Sequence, residues 1–315
     1  MNTHIDYISE ISRLKKEKNA VILGHYYITG DLQEISDFIG DSLALSQQAA
    51  ATNADIIVFL GVHFMAETAK ILAPSKKVLI PDLKAGCSLA DSCSYDDFLA
   101  FKNQYPEHIV ISYVNTTADI KALSDVICTS SNAKQIVESY SNDTKIIFAP
   151  DKNLGNYINS VTGRNMIVWD GACHVHHQFS LARILELKKQ NENAKIIAHP
   201  ECQKEILIIS DYIGSTSALL NFSNIDSSQT YIVATESGIL HQMRKKNPHK
   251  SFIAAPPEDS TCACNDCNFM KLNTIEKLYL CLLHEAPEVI IPEEKRIKAL
   301  NPILKMLDIS KKLGL

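Results

Sequence analysis

The chain has 315 residues and a formal net charge of −5. At roughly 150 residues per domain the length predicts about two domains, and the modest charge excludes a nucleic-acid footprint or a charged disordered tail. No apolar run approaches the ~18 residues that a membrane span needs, so a soluble, cytoplasmic protein is expected.

The first residues, 1–19, carry Asp6 and Glu10 and no continuous apolar block, and they read as an amphipathic helix, not a signal peptide. The apolar run AVILG then ends at His25. Seventeen residues on, SDFIGDS (36–42) ends at Ser42, and the string recurs as SDVICTS (124–130) and SDYIGST (210–216). Each copy has a polar ring residue seventeen positions before its final hydroxyl, at the end of an apolar run: His25 for Ser42, Tyr113 for Ser130 and His199 for Thr216. Each also has an aspartate five positions before it: Asp37, Asp125 and Asp211. Two spacings held in three copies mark an internal repeat.

Every copy continues in one order: a short strand, a helix, a strand (DIIVFLG, KIIFAP, YIVAT), a helix, and a closing strand (KVLIPD, MIVWD, SFIAAP). Strands alternating with helices imply right-handed crossovers and a parallel sheet covered on both faces. The expected fold is α/β: three homologous αβα units around a pseudo-threefold axis, spanning 1–88, 89–176 and 177–268. A helical tail, 269–315, is expected to pack on the first unit.

In such sheets the carboxyl ends of the strands face the ligand crevice. His25, Tyr113 and His199 fall there. Ser42, Ser130 and Thr216 are expected to cap helix N-termini, where free N–H groups and the helix dipole favour a carboxylate or phosphate.

Nine cysteines in a cytosolic chain argue for metal ligation or buried inert thiols rather than disulfides. Each closing strand runs into a cysteine: Cys87, Cys173 and, in the run TCACNDC, Cys267. If the units converge, three thiolates meet. A [4Fe–4S] cluster with one iron free of protein ligands is the stronger reading, and zinc on three thiolates or on the local Cys262–Cys264–Cys267 run stays open. Cys93, Cys128, Cys202 and Cys281 have no matching partners and are expected to be small buried hydrophobes.

The strings HYY (25–27), GDSLALS (40–46), AGCSLAD (85–91), SYVNTTADIKALSD (112–125), GACHVH (171–176), HPEC (199–202), GSTSAL (214–219) and CNDCNFMKLNTIEKL (264–278) together resemble the quinolinate synthase family of bacterial NAD biosynthesis. The resemblance covers nearly the whole chain. It implies an enzyme that condenses iminoaspartate with dihydroxyacetone phosphate, losing phosphate and two waters, with the open iron of a [4Fe–4S] cluster as Lewis acid. It also implies Cys87, Cys173 and Cys267 as cluster ligands. By the same resemblance His25, Ser42, Tyr113, Asn115, Ser130, His199, Glu201 and Thr216 line the substrate pocket, with Tyr27, Tyr113, His199 and Glu201 in catalysis. By analogy, an aspartate oxidase or dehydrogenase supplies the iminoaspartate. Many family members carry C-x-x-C-x-x-C where this chain has C-A-C-N-D-C, so Cys262 and Cys264 are shifted and carry no assigned role. Glu201, two residues from His199, is expected to pair with that imidazole and move protons. The alternatives from other classes are an electron-transfer iron–sulfur protein, which needs four protein ligands, and a zinc scaffold that binds a small anion.

Overall fold

The computed structural model describes residues 5–258 and 265–315. The first unit runs α1 (Tyr7–Glu17), β1 (Ala20–His25), α2 (Gly30–Ile35), β2 (Phe38–Gly40), α3 (Ser42–Ala51), β3 (Ile56–Leu60), α4 (His63–Leu72) and β4 (Lys77–Leu79). The second runs α5 (Ser88–Asp91), α6 (Tyr95–Asn103), β5 (Ile109–Tyr113), α7 (Ala118–Leu123), β6 (Val126–Cys128), α8 (Ala133–Glu138), β7 (Ile146–Ala149), α9 (Lys152–Thr162) and β8 (Ile167–Val168). The third runs α10 (His174–His177), α11 (Leu181–Gln190), β9 (Lys195–Ala198), α12 (Lys204–Ile208), β10 (Tyr212–Ile213), α13 (Thr216–Ile225), β11 (Thr230–Ala234), α14 (Ile239–Lys246) and β12 (Ser251–Ala254). A 3₁₀ turn (Met270–Leu272), α15 (Ile275–His284) and α16 (Glu293–Lys312) follow.

Each unit forms a four-stranded parallel sheet, in the orders β2-β1-β3-β4, β6-β5-β7-β8 and β10-β9-β11-β12. This is the expected three-unit α/β architecture. The inner strands β3 and β7 are buried along their whole length, because helices cover both faces of each sheet. The order places a topological switch beside β1, β5 and β9, the strands that end at or next to His25, Tyr113 and His199.

The repeated aspartate proves to be a clasp. Asp37, Asp125 and Asp211 each accept, through one carboxylate oxygen, the N–H of Ile22, Val110 and Ile196 at 2.8, 2.8 and 2.7 Å. The N–H of each aspartate donates in return to the carbonyl of the same residue. A short edge strand has few ladder bonds of its own, and this two-way bond fixes its register at the root. The matching pairs are Leu23–Phe38, Ile111–Val126 and Ile197–Tyr212.

The sequence reading runs from the first strand of each unit straight to the edge strand and misses α2, α7 and α12. These helices span 6, 6 and 5 residues, too short for a 3.6-residue period to stand out. In the tail, α15 packs on α1 of the first unit, with the Tyr7 and Tyr279 rings 5.4 Å apart. The longer α16 lies chiefly on α7 and β6 of the second unit and also touches α4.

Candidate active site

His25, Tyr113 and His199 are buried at their strand ends and line one cavity. The same cavity is lined by Tyr27, Asn115 and Glu201, two residues further along each unit, by Ser42, Ser130 and Thr216, and by Cys87, Cys173 and Cys267. Segments far apart in sequence meet there because each unit turns the carboxyl edge of its sheet toward the other two. Cys262 and Cys264 lie outside the described residues.

The two histidines are held alike. The Tyr27 N–H donates to His25 Nδ1 at 3.2 Å, and the Glu201 N–H donates to His199 Nδ1 at 3.4 Å. A nitrogen that accepts carries no proton, so each neutral ring has its proton on Nε2. His199 Nε2 lies 3.1 Å from Ser130 Oγ and donates to it. Burial pushes His25 down to about 4 and His199 down to about 3, with nearby carboxylates offsetting only part of the effect. Both rings are neutral near pH 7. Burial likewise holds the Tyr27 and Tyr113 phenols well above their ordinary range, so both keep their protons.

Glu201 does not pair with His199 as expected. Its Oε2 lies 2.7 Å from His176 Nδ1 and 3.6 Å from His199 Nδ1. The His199 lone pair is occupied by the Glu201 backbone N–H, so two acceptors face each other there. His176 takes the role instead, and a chain of short bonds extends from it. His176 Nε2 meets Thr235 Oγ1 at 2.9 Å, Thr235 Oγ1 meets the Tyr27 hydroxyl at 2.7 Å, and that hydroxyl meets Thr216 Oγ1 at 2.8 Å. All four bonds can point one way, from Thr216 through Tyr27, Thr235 and His176 to Glu201. Burial raises the Glu201 carboxyl, but the His176 ring bonded to it outweighs burial and holds the group below the usual carboxylate range. Glu201 Oε1 and Asn115 Oδ1 are buried without a hydrogen-bond partner. The Tyr113 hydroxyl comes near enough to Glu201 to perturb it but falls short of bonding geometry. Two orphaned oxygens in one cavity call for a ligand with donors.

The helix caps differ from expectation. Asp41 caps α3 by accepting from the Ala44 N–H at 3.1 Å, and Ser215 caps α13 by accepting from the Ala218 N–H at 3.3 Å. Ser42 and Thr216 are the first helical residues, and Ser130 sits three residues before α8. The preceding side chain does the capping in α3 and α13, which leaves the Ser42 and Thr216 hydroxyls free to face the cavity or its hydrogen-bond chain.

Among the described residues, the donor set closing within 4.8 Å is Cys173, His176 and Glu201, which are positioned to hold a metal. Cys87, Cys173 and Cys267 do not close to that distance. Tetrahedral zinc on thiolates would bring the sulfurs to about 3.8 Å of one another, so the three thiols are too spread for one zinc ion. Burial pushes Cys87 up to about 12, Cys267 up to about 11 and Cys173 well above its ordinary value, and only bound metal would keep all three as thiolates. Two of the three cysteine loops are fixed by equivalent carboxylates. The Cys173 N–H donates to Asp151 Oδ2 at 3.2 Å and the Cys267 N–H donates to Glu236 Oε1 at 3.1 Å. Glu236 also pairs with Lys271 at 2.8 Å.

A family model described as Quinolinate synthetase A protein matches residues 9–308. The chain belongs to this family. It is similar to the quinolinate synthase of Thermosynechococcus vestitus, with 60% identity over 306 residues, 97% of this chain and 96% of the relative. It is similar to that of Microcystis aeruginosa, with 60% identity over 305 residues, 97% and 95% of the two chains. It is 54% identical to that of Chloroherpeton thalassium over 309 residues, 98% and 96% of the two chains. Quinolinate synthases are enzymes of NAD biosynthesis, and the chain is an enzyme of that family. No helix among the described residues is long and apolar enough to cross a membrane.

Sequence reasoning toward a quinolinate synthase missed His176, Thr235, Asp151 and Glu236. His176 stands inside the quoted string GACHVH but has no counterpart in the repeat. Asp151 and Glu236 do have a signal: both stand two residues past the third strand of their sheets. The first unit has Val62 at that place, which hides the pattern.

Proposed function

We propose that this quinolinate synthase condenses iminoaspartate with dihydroxyacetone phosphate in the cytoplasm, losing phosphate and two waters, with a [4Fe–4S] cluster on Cys87, Cys173 and Cys267. When bound, the cluster supplies an iron without a protein ligand, a Lewis acid for a substrate hydroxyl or carboxylate. The observation that carries the reading is the single cavity to which each unit brings one thiol and one strand-end ring. We divide the chain after residues 88, 176 and 268, cuts that fall within the short connecting helices α5 and α10 and after the last described strand, a division supported by the identical strand orders.

The chain's own groups do the remaining work. Neutral His25 offers an N–H donor at Nε2, and Ser42 and Ser130, the latter held by the His199 N–H, offer hydroxyls, so anionic substrate groups are held without burying many positive charges. Tyr113 and Asn115 give neutral donors to developing oxyanions. Glu201 takes the proton from carbon. The chain through His176 and Thr235 connects that proton to Tyr27, which returns it to a departing oxygen once the Tyr27 and Thr235 hydroxyls reverse. This requires the His176 imidazole to start with its proton on Nε2, which it gives up to Thr235 as it takes the Glu201 proton at Nδ1. An enzyme that makes iminoaspartate is the required supplier.

A second reading is favoured by one observation, the close set Cys173, His176 and Glu201, which would suit a single metal ion. Anaerobic purification with iron, sulfide and zinc analysis separates the two. The first reading expects about four irons and four sulfides per chain, and quinolinate formed from both substrates. One metal ion per chain without sulfide would sink it.

A further inference from the structure

Eight residues past the strand-end ring, the first two units carry a buried side chain that the mechanism leaves unused: Gln33 after His25 and Lys121 after Tyr113. The two do the same thing. Gln33 Nε2 donates to the carbonyls of Tyr26 and Ile28, both at 2.9 Å. These carbonyls flank Tyr27. Lys121 Nζ donates to the carbonyls of Val114, at 2.9 Å, and Thr116. These carbonyls flank Asn115. Gln33 is held in turn, since its Oε1 accepts from Gln242 Nε2 at 2.9 Å and its Nε2 also reaches the Gly238 carbonyl at 2.9 Å. Lys121 sits over the Phe64 ring, 5.4 Å from its centroid. The third unit has Leu207 at this place, which cannot donate. There Asn153 Nδ2, from the second unit, donates to the Glu201 carbonyl at 3.0 Å instead.

We propose that Gln33 and Lys121 are positioning residues that bridge the carbonyls of the residues before and after Tyr27 and Asn115, bracing the short backbone turn around each, and so aim those two side chains into the cavity. The inference rests on the reading that Tyr27 and Asn115 touch the reacting molecules. Its physical basis is independent of that reading. A loop residue between two free carbonyls can rotate about its flanking bonds, whereas one donor gripping both carbonyls removes that freedom. Ordinary packing does not need a buried lysine, because desolvating an ammonium is costly unless its donors are used. Glutamine performs the same bonds at the equivalent place, so the device requires two N–H donors within reach, not a charge.

Three variants test it. Lys121→Met keeps much of the volume and removes the donors, and Lys121→Gln installs the side chain that the first unit uses. In Lys121→Met, amide hydrogen exchange should rise about tenfold or more in residues 113–117 and stay unchanged in β9 and β11, and Lys121→Gln should restore protection. Quinolinate formation should fall about 10- to 100-fold in Lys121→Met, as for a misplaced group, and recover to within about threefold in Lys121→Gln. In an Asn115→Ala background, Lys121→Met should cause no further fall, because the clamp acts through Asn115. Unchanged exchange in 113–117, or losses that multiply in the double variant, would overturn the proposal. If Lys121→Met does not fold, Gln33→Met gives the same exchange test for residues 26–28. If wild-type protein makes no quinolinate, the reading of the reaction fails, while the exchange data still decide the clamp.

Discussion

Replacing Glu201 with glutamine separates chemistry from architecture. In the native site Oε2 bonds His176 at 2.7 Å and Oε1 is buried without a partner. Glutamine keeps the size and an acceptor for His176 and puts an amide N–H₂ where the orphaned oxygen stood. The loss to the fold is the charge-assisted part of one bond. Bonds to charged groups contribute roughly 1.5–3 kcal/mol and neutral ones roughly 0.5–1.5, a difference of about 1 kcal/mol. In a chain this long that lowers Tm by about 2 °C. Loss of a positioned base, in contrast, slows turnover by roughly 10²–10⁴-fold, about 3–5 kcal/mol on the barrier. The barrier change therefore exceeds the stability change several-fold. The assay is anaerobic steady-state quinolinate formation at saturating substrates, beside Tm and iron content. Near wild-type turnover with an intact fold would refute the proton role and leave Glu201 as the partner that orients His176. A fall in turnover matched by lost iron would also refute it.

Cys87→Ala, Cys173→Ala and Cys267→Ala should each abolish iron content and the ~400 nm absorption of a cluster, whereas substitution of the buried Cys93, Cys128, Cys202 or Cys281 should keep both; retention in Cys267→Ala would show that another thiol is the ligand. Activity should decay in air and return with iron, sulfide and thiol under anaerobic conditions, and hours of full activity in air without iron would contradict an open iron site. Ser130→Ala, which removes a hydroxyl bonded to His199, should act more on KM than on kcat, by about 1.5–3 kcal/mol if it contacts an anion. His25 is driven from 6.5 to about 4 by burial, so its neutral form stabilises the fold above pH 6.5 and that stability is lost as pH falls through 6.5 toward 4. Between pH 7 and 5 it should account for about 2 kcal/mol in urea unfolding, and an equal pH dependence in His25→Asn would assign the loss elsewhere.

Much of this architecture was readable because it is written three times. The spacing from His25 to Ser42 and its two repeats located the switch strands, and the cysteine after each closing strand located three thiols that line one cavity. What escaped lies in contacts that spacing does not record. His176 displaced His199 as the partner of Glu201 because a backbone N–H had already taken the His199 lone pair. Asp41 and Ser215 took the caps expected of Ser42 and Thr216, since either neighbour has the chemistry and only the backbone decides. Gln33 and Lys121 share no side-chain chemistry beyond N–H donors, so no pattern of residue types links them.

Tyr27, Asn115 and Glu201 occupy one place in three copies of one fold. Three identical subunits around an axis could offer only three identical groups there, and would treat every arm of a bound molecule alike. Joined in one polypeptide, the same three places hold a phenol, a carboxamide and a carboxylate. The pocket keeps the convergence of a trimer while giving each arm of an unsymmetrical substrate a different neighbour, and a circle of equivalent positions becomes a site that can tell left from right.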